Sequence, residues 1–166
     1  MKRFLILLLV FAMAVSMAAC AKRNTVTYYY VRDPLEYQYG AADGVMVGES
    51  REGGGHADNL RYLLTLYFHG PVSDYLESPF PSGTTLEELA QDGEQLHIRL
   101  SGIVALMDDA DRTLACACLA RTCFDLTDAQ TVTISAEFTH TVSVTIHRDS
   151  LLLVDDSAQY LTEETT

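Results

Sequence analysis

The stretch LEELAQDGEQLHIRL (Leu86–Leu100) holds Asp92-Gly93 between two arms, Leu86 to Gln91 and Gln95 to Leu100. On the second arm Leu96, Ile98 and Leu100 alternate with His97 and Arg99. A period of two is that of a strand with one buried face, and Asp-Gly is a strong hairpin signal. An antiparallel hairpin lying on a core is therefore expected here.

Downstream of the hairpin, the spacing predicts a helix from about Asp109 to Phe124. On a helical wheel Ala110, Leu114, Ala117, Cys118 and Phe124 gather on one side with Arg121 intruding, while Asp111, Arg112 and Thr122 mark a solvated side. Such a helix can lie flat on a sheet. TVTISAEF, TVSVTIHR and SLLLVDD then follow as short strand-like runs, divided at Thr139-His140 and at Arg148-Asp149-Ser150.

Upstream, the passage LYFHGPVSDYLESPFPSGTTL (Leu66–Leu86) carries three of the four prolines. Proline fixes φ near −65° and lowers the entropy lost on ordering, so a long connection can be held without regular structure. An ordered exposed loop is also where binding often resides. Before it, Leu60, Leu63, Leu64 and Tyr67 fall at i, i+3, i+4 and i+7, an amphipathic helix with Asp58 or Asn59 as its cap and Gly70-Pro71 as its stop. VMVGESR reads as a short strand, and TVTYYYVRD as a first strand ending at Asp33-Pro34. The class is α+β: one small domain of mostly antiparallel sheet with two helices packed on one face.

At 166 residues, 48% apolar and 20% charged, the chain is long enough for one real core. Residues 1–20, MKRFLILLLVFAMAVSMAAC, have the layout of a secretory signal: Lys2-Arg3, an apolar run, then small residues up to a cysteine. Met17-Ala18-Ala19-Cys20 is similar to the bacterial lipobox, which implies cleavage before Cys20 and acylation there. Two acyl chains are what stable anchoring requires. The rival readings are plain secretion with cleavage near Ala18 or Ala19, and an uncleaved anchor. Of the 11 basic residues, Lys2 and Arg3 leave with the signal, so 9 remain against 23 acidic and the net charge becomes −14. Nucleic acid, bound through clustered Lys and Arg, is excluded as a partner class. Residues 155–166, DDSAQYLTEETT, form an acidic tail with little apolar content and are expected to be disordered.

Cys116, Cys118 and Cys123 all fall on the second helix. Cys116 and Cys118 would point about 200° apart, and Cys116 and Cys123 would stand about 10 Å apart, so neither pair meets disulfide geometry. Small buried hydrophobes is the reading they support. No HExxH, GxSxG or zinc-spaced Cys/His set is present, and His56, His69, His97, His140 and His147 are dispersed. GGGH (Gly53–His56) lacks the Lys and Ser/Thr of a phosphate loop and reads as a turn. Asp108, Asp109 and Asp111 suit a helix N-terminus. Glu137, His140 and His147 could meet on neighbouring strands, though solvated edge positions explain them equally well. Glu87 and Glu88 should face opposite ways. Catalytic residues, metal ligands and cofactors are accordingly assigned to none.

Taken in order, the VTYYYV strand, the GESR strand with Glu49 and Arg51, LRYLLTLYFHGP, SPFPSGTTL, the Asp-Gly hairpin and a helix followed by TVTISAE resemble the sporulation and spore germination domain, GerMN, over residues 25–154. The resemblance implies a non-enzymatic, extracytoplasmic lipoprotein held in the membrane through Cys20. It implies action by protein contacts in sporulation, spore germination or envelope assembly, with self-association among those contacts. The alternative is a lipoprotein that binds a ligand or peptidoglycan fragment, with Tyr28, Tyr30, Tyr37 and Tyr39 as a stacking surface.

Overall fold

The computed structural model describes residues 25–32 and 45–151. The signal segment with Cys20, the connection holding Tyr37 and Tyr39, and the acidic tail lie outside the described residues. Seven strands and two helices follow in order: β1 (Thr25–Arg32), β2 (Met46–Glu52), α1 (Leu60–Tyr67), β3 (Leu76–Glu77), β4 (Leu86–Asp92), β5 (Gln95–Leu100), α2 (Asp109–Leu126), β6 (Thr131–Glu137) and β7 (Thr141–His147). Short 3-10 turns occupy Gly54–His56, Gly102–Leu106 and Arg148–Leu151. The class is α+β, in one small domain with mostly antiparallel strands.

The strands divide between two sheets. One has the order β2-β1-β3, all antiparallel; the other has the order β4-β5-β6-β7, antiparallel except for the parallel pair β5-β6. A parallel pair needs a crossover, and α2 supplies it. The Asp-Gly hairpin is in place: Asp92 pairs with Gln95, Gly93 takes φ +57°, and Leu96, Ile98 and Leu100 are buried while His97 and Arg99 are exposed.

The second helix departs from its wheel. Ala110 is exposed, whereas Thr122, expected on a solvated side, is completely buried. Every residue from Ala115 to Ala120 is buried, so α2 has no wet side along its middle. The reason is that it touches both sheets, lying against β1 of one and β6 and β7 of the other. A wheel drawn for one packed face cannot represent a helix packed on two. The three thiols lie in this stretch, free and buried. Burial raises Cys116 to about 11 and Cys118 to about 12, so both are neutral at physiological pH.

SLLLVDD is not a strand where it is described. Residues 148–151 turn as 3-10 helix, and Arg148 explains the turn. Its guanidinium reaches back to the carbonyl oxygens of Phe124, Thr127 and Ala129, with Nη2 donating at 3.0, 2.9 and 2.7 Å and Nε donating to Ala129 at 3.0 Å. These include carbonyls that the end of α2 leaves without helical partners, and a cation there also complements the helix dipole.

Candidate functional site: a loop held by an ion pair

The proline-rich connection is placed by β2. In the β1–β2 register Val26, Tyr28 and Tyr30 stand opposite Arg51, Glu49 and Val47, so these six share one face of their sheet. That face is turned into the core, where Tyr28 and Tyr30 are buried with Tyr67 of α1. Tyr30 and Tyr67 stack at 4.9 Å, and the Arg51 guanidinium lies over the Tyr28 and Tyr30 rings at 5.1 and 5.4 Å. Cation–π contact adds to what holds the guanidinium there.

Two residues of β2 then hold the loop. Helix α1 begins with Asn59, whose side chain accepts from the Tyr62 N–H, and it ends at Phe68 before Gly70 at φ +90°, a left-handed position that favours glycine. The Gly70 carbonyl accepts from Arg51 Nη2 at 2.8 Å and lies 3.2 Å from the Tyr30 hydroxyl, which donates at 3.0 Å to the Tyr67 carbonyl and accepts from Arg51 at 3.2 Å. One turn further on, the Glu49 carboxylate accepts from the Val72 N–H at 3.1 Å, the Ser73 N–H at 2.8 Å and the Ser73 hydroxyl at 2.6 Å. Arg51 closes the network by donating from Nε to Glu49 at 2.6 Å, with Nη2 in ionic contact as well. Burial by itself pushes the Glu49 carboxyl up; the bonds from Ser73, Arg51 and Val72 outweigh it, and the net displacement is downward.

The loop held in this way presents apolar groups outward. Val72 is 77% exposed and Tyr75 is 50% exposed, although the Val72 N–H is pinned to Glu49. Further along, β3 pairs with the end of β1, Phe80 is buried, and Gly83 takes φ +88° before β4 begins. An open groove of about 370 Å³ runs beside this second half of the loop, bordered by Glu77, Phe80, Pro81, Met107 and Leu114. The loop is thus both a framework connection and an ordered surface.

The remaining candidates separate. Asp108 caps α2, its carboxylate accepting from the Ala110 and Asp111 N–H groups. Glu137 pairs with Thr141 at one end of the β6–β7 ladder and His147 with Thr131 at the other, so Glu137, His140 and His147 do not form a group. A bulge between Leu86 and Glu88 breaks the strand alternation, and Glu87 and Glu88 both reach Arg99, at 3.4 and 3.3 Å. The expectation that they face opposite ways is corrected by that bulge. Among the described residues no group of three or more His, Cys, Asp or Glu is placed to hold a metal ion. Tyr28 and Tyr30 are core residues and offer no stacking surface. Compared with protein-family models, curated proteins and solved structures, the chain matches none.

In the sequence Glu49 and Arg51 stand out only as part of a strand motif. Their tie to the loop had one legible signal, since an acid and a base two apart on a strand share a face. The acceptors and donors they meet, mostly backbone groups and all more than 18 residues away, leave no mark in composition or periodicity.

Proposed function

We propose that this protein is a non-enzymatic envelope module, tethered to the outer face of the membrane by acylated Cys20, that acts through protein contacts in sporulation, spore germination or envelope assembly. The ordered set of motifs quoted above supports the family side of this reading. The observation that carries the contact side is the loop after α1. Its backbone is fastened to an ion pair of buried Glu49 with half-buried Arg51, and Val72 and Tyr75 project from it. Exposed apolar groups on an ordered backbone lose little conformational entropy when a partner covers them.

In-cell photocrosslinking from positions 72 and 75 of the full chain, with mass spectrometry of the products, tests this reading. A defined set of envelope proteins, lost when Glu49 is replaced by Ala, is the expected outcome. Turnover of a wall glycan or peptide by the purified chain would overturn it, as would retention on insoluble peptidoglycan with no protein captured.

A further inference from the structure

The two edges of the larger sheet are unlike. β4 is guarded in the ways that edge strands commonly are: it carries Glu87, Glu88 and Asp92, and a bulge interrupts its register. β7, TVSVTIH, has no Lys, Asp, Glu or Pro, and its register with β6 is unbroken from Thr141 to His147. The bonds from Phe138 N–H to the His140 carbonyl and from Arg148 N–H to the Gln130 carbonyl bracket that ladder. In an antiparallel pair hydrogen-bonded and non-bonded positions alternate. Counting between the brackets, Val142, Val144 and Ile146 bond to β6. The N–H and C=O groups of Thr141, Ser143, Thr145 and His147 therefore point away from it, toward an edge that no described strand pairs.

From this geometry we infer that β7 pairs antiparallel with β7 of a second copy of this chain, about a two-fold axis through Val144. In that register Thr141 faces His147, Val142 faces Ile146, Ser143 faces Thr145 and Val144 faces itself. The outward-pointing groups are those of the pairs Ser143–Thr145 and Thr141–His147, so the bonded positions of the new ladder coincide with the groups left over by the old one. The side chains agree too. Opposite Val142, Ser143, Val144, Thr145 and Ile146, β6 sets Ala136, Ser135, Ile134, Thr133 and Val132. A second β7 sets Ile146, Thr145, Val144, Ser143 and Val142 there: apolar for apolar on the core side, hydroxyl for hydroxyl on the outer side. A chain with net charge −12 needs an uncharged strip to approach its own copy, and β7 is one. The closed two-fold arrangement stops at two copies and makes one eight-stranded sheet from two four-stranded ones.

This inference rests on the reading of the chain as a contact module and names one partner within it. Sedimentation equilibrium of the full-length chain in density-matched detergent, under reducing conditions, measures the mass. Two copies are expected. Ser143→Pro removes an outward N–H that β6 does not use, and Thr145→Lys places charge on the edge. Each should weaken dimerisation by about fivefold or more, while Ala90→Lys on the β4 edge leaves it unchanged. Melting curves by circular dichroism identify any variant that fails to fold, and two edge variants of different chemistry keep the test open if one does. A single-copy mass at every concentration overturns the inference, as does a mass above two copies or a dimer that neither folded edge variant weakens. A monomer that still crosslinks to envelope proteins through Val72 and Tyr75 overturns this pairing alone. Turnover of a wall substrate overturns the contact reading itself.

Discussion

Tyr28 and Tyr30 are two residues apart on one strand face, both buried, and differ in what their hydroxyls meet. The Tyr30 hydroxyl donates to the Tyr67 carbonyl and accepts from Arg51, whereas the Tyr28 hydroxyl has no hydrogen-bond partner among the described residues. Removing the Tyr30 hydroxyl takes one hydrogen bond from the Tyr67 carbonyl, which keeps the Gly70 N–H, and one from Arg51, which keeps Glu49 and the Gly70 carbonyl; removing a hydroxyl that bonds nothing loses no hydrogen bond. Tyr30→Phe should therefore lower stability by about 1–3 kcal/mol and Tyr28→Phe by less than about 0.5 kcal/mol, measured by urea unfolding. The alternation of apolar and other residues in TVTYYYVR was enough to place both rings on one face. It could not tell the two hydroxyls apart, because their partners come from the far end of α1 and from β2.

At the scale of elements, α2 settles the architecture. Tyr29 of β1 has its N–H turned away from β2, where the Thr122 Oγ1 accepts it at 2.9 Å, and its carbonyl accepts from the Tyr67 hydroxyl at 3.0 Å. The same Thr122 hydroxyl donates to the Cys118 carbonyl at 2.9 Å. Two helices thus complete, through side chains, the hydrogen bonding of a strand edge that has no neighbour at that point. Thr122→Val keeps the shape and removes the acceptor, so the part-buried Tyr29 N–H loses its partner. A loss of about 1–3 kcal/mol in thermal or urea unfolding is expected, with little change in circular dichroism. Helix existence and extent, the Asp-Gly hairpin and the alternating strands could all be read from periodicity, because each depends on residues close in sequence. Which side of α2 is wet could not, because it depends on there being two sheets. Arg148 looked like a loop residue for the same reason: the carbonyls it serves lie at and just past the end of a helix, more than 18 positions back.

For the whole molecule, the Glu49–Arg51 ion pair contributes to how stability responds to acid. The Glu49 carboxyl titrates below its ordinary value of 4.5 in the folded chain. A depressed carboxyl contributes stability that is complete above the unfolded value and is lost as pH falls through the folded one. The melting temperature should hold steady down to about pH 5 and then fall, and Glu49→Gln should shrink that fall while costing up to about 3 kcal/mol at neutral pH. A decline of equal steepness in wild type and Glu49→Gln would assign acid sensitivity to other carboxylates. The candidate surface was only half legible from sequence: the prolines and glycines marked an ordered connection, but Glu49 and Arg51 grip it mainly through backbone groups, which every residue carries alike.

That anchor also sets when the loop can exist. Val72 and Ser73 belong to no ladder and no helix, yet their amides are closed against the solvent-shielded carboxylate of a strand that precedes α1 in sequence. They gain protection only after β1, β2 and α1 have come together, and they keep it for as long as those elements stay docked. Hydrogen exchange at Val72 and Ser73 is therefore expected to follow that of the β1–β2 ladder and α1, and the exposed Val72 side chain is held in place only while those elements stay docked.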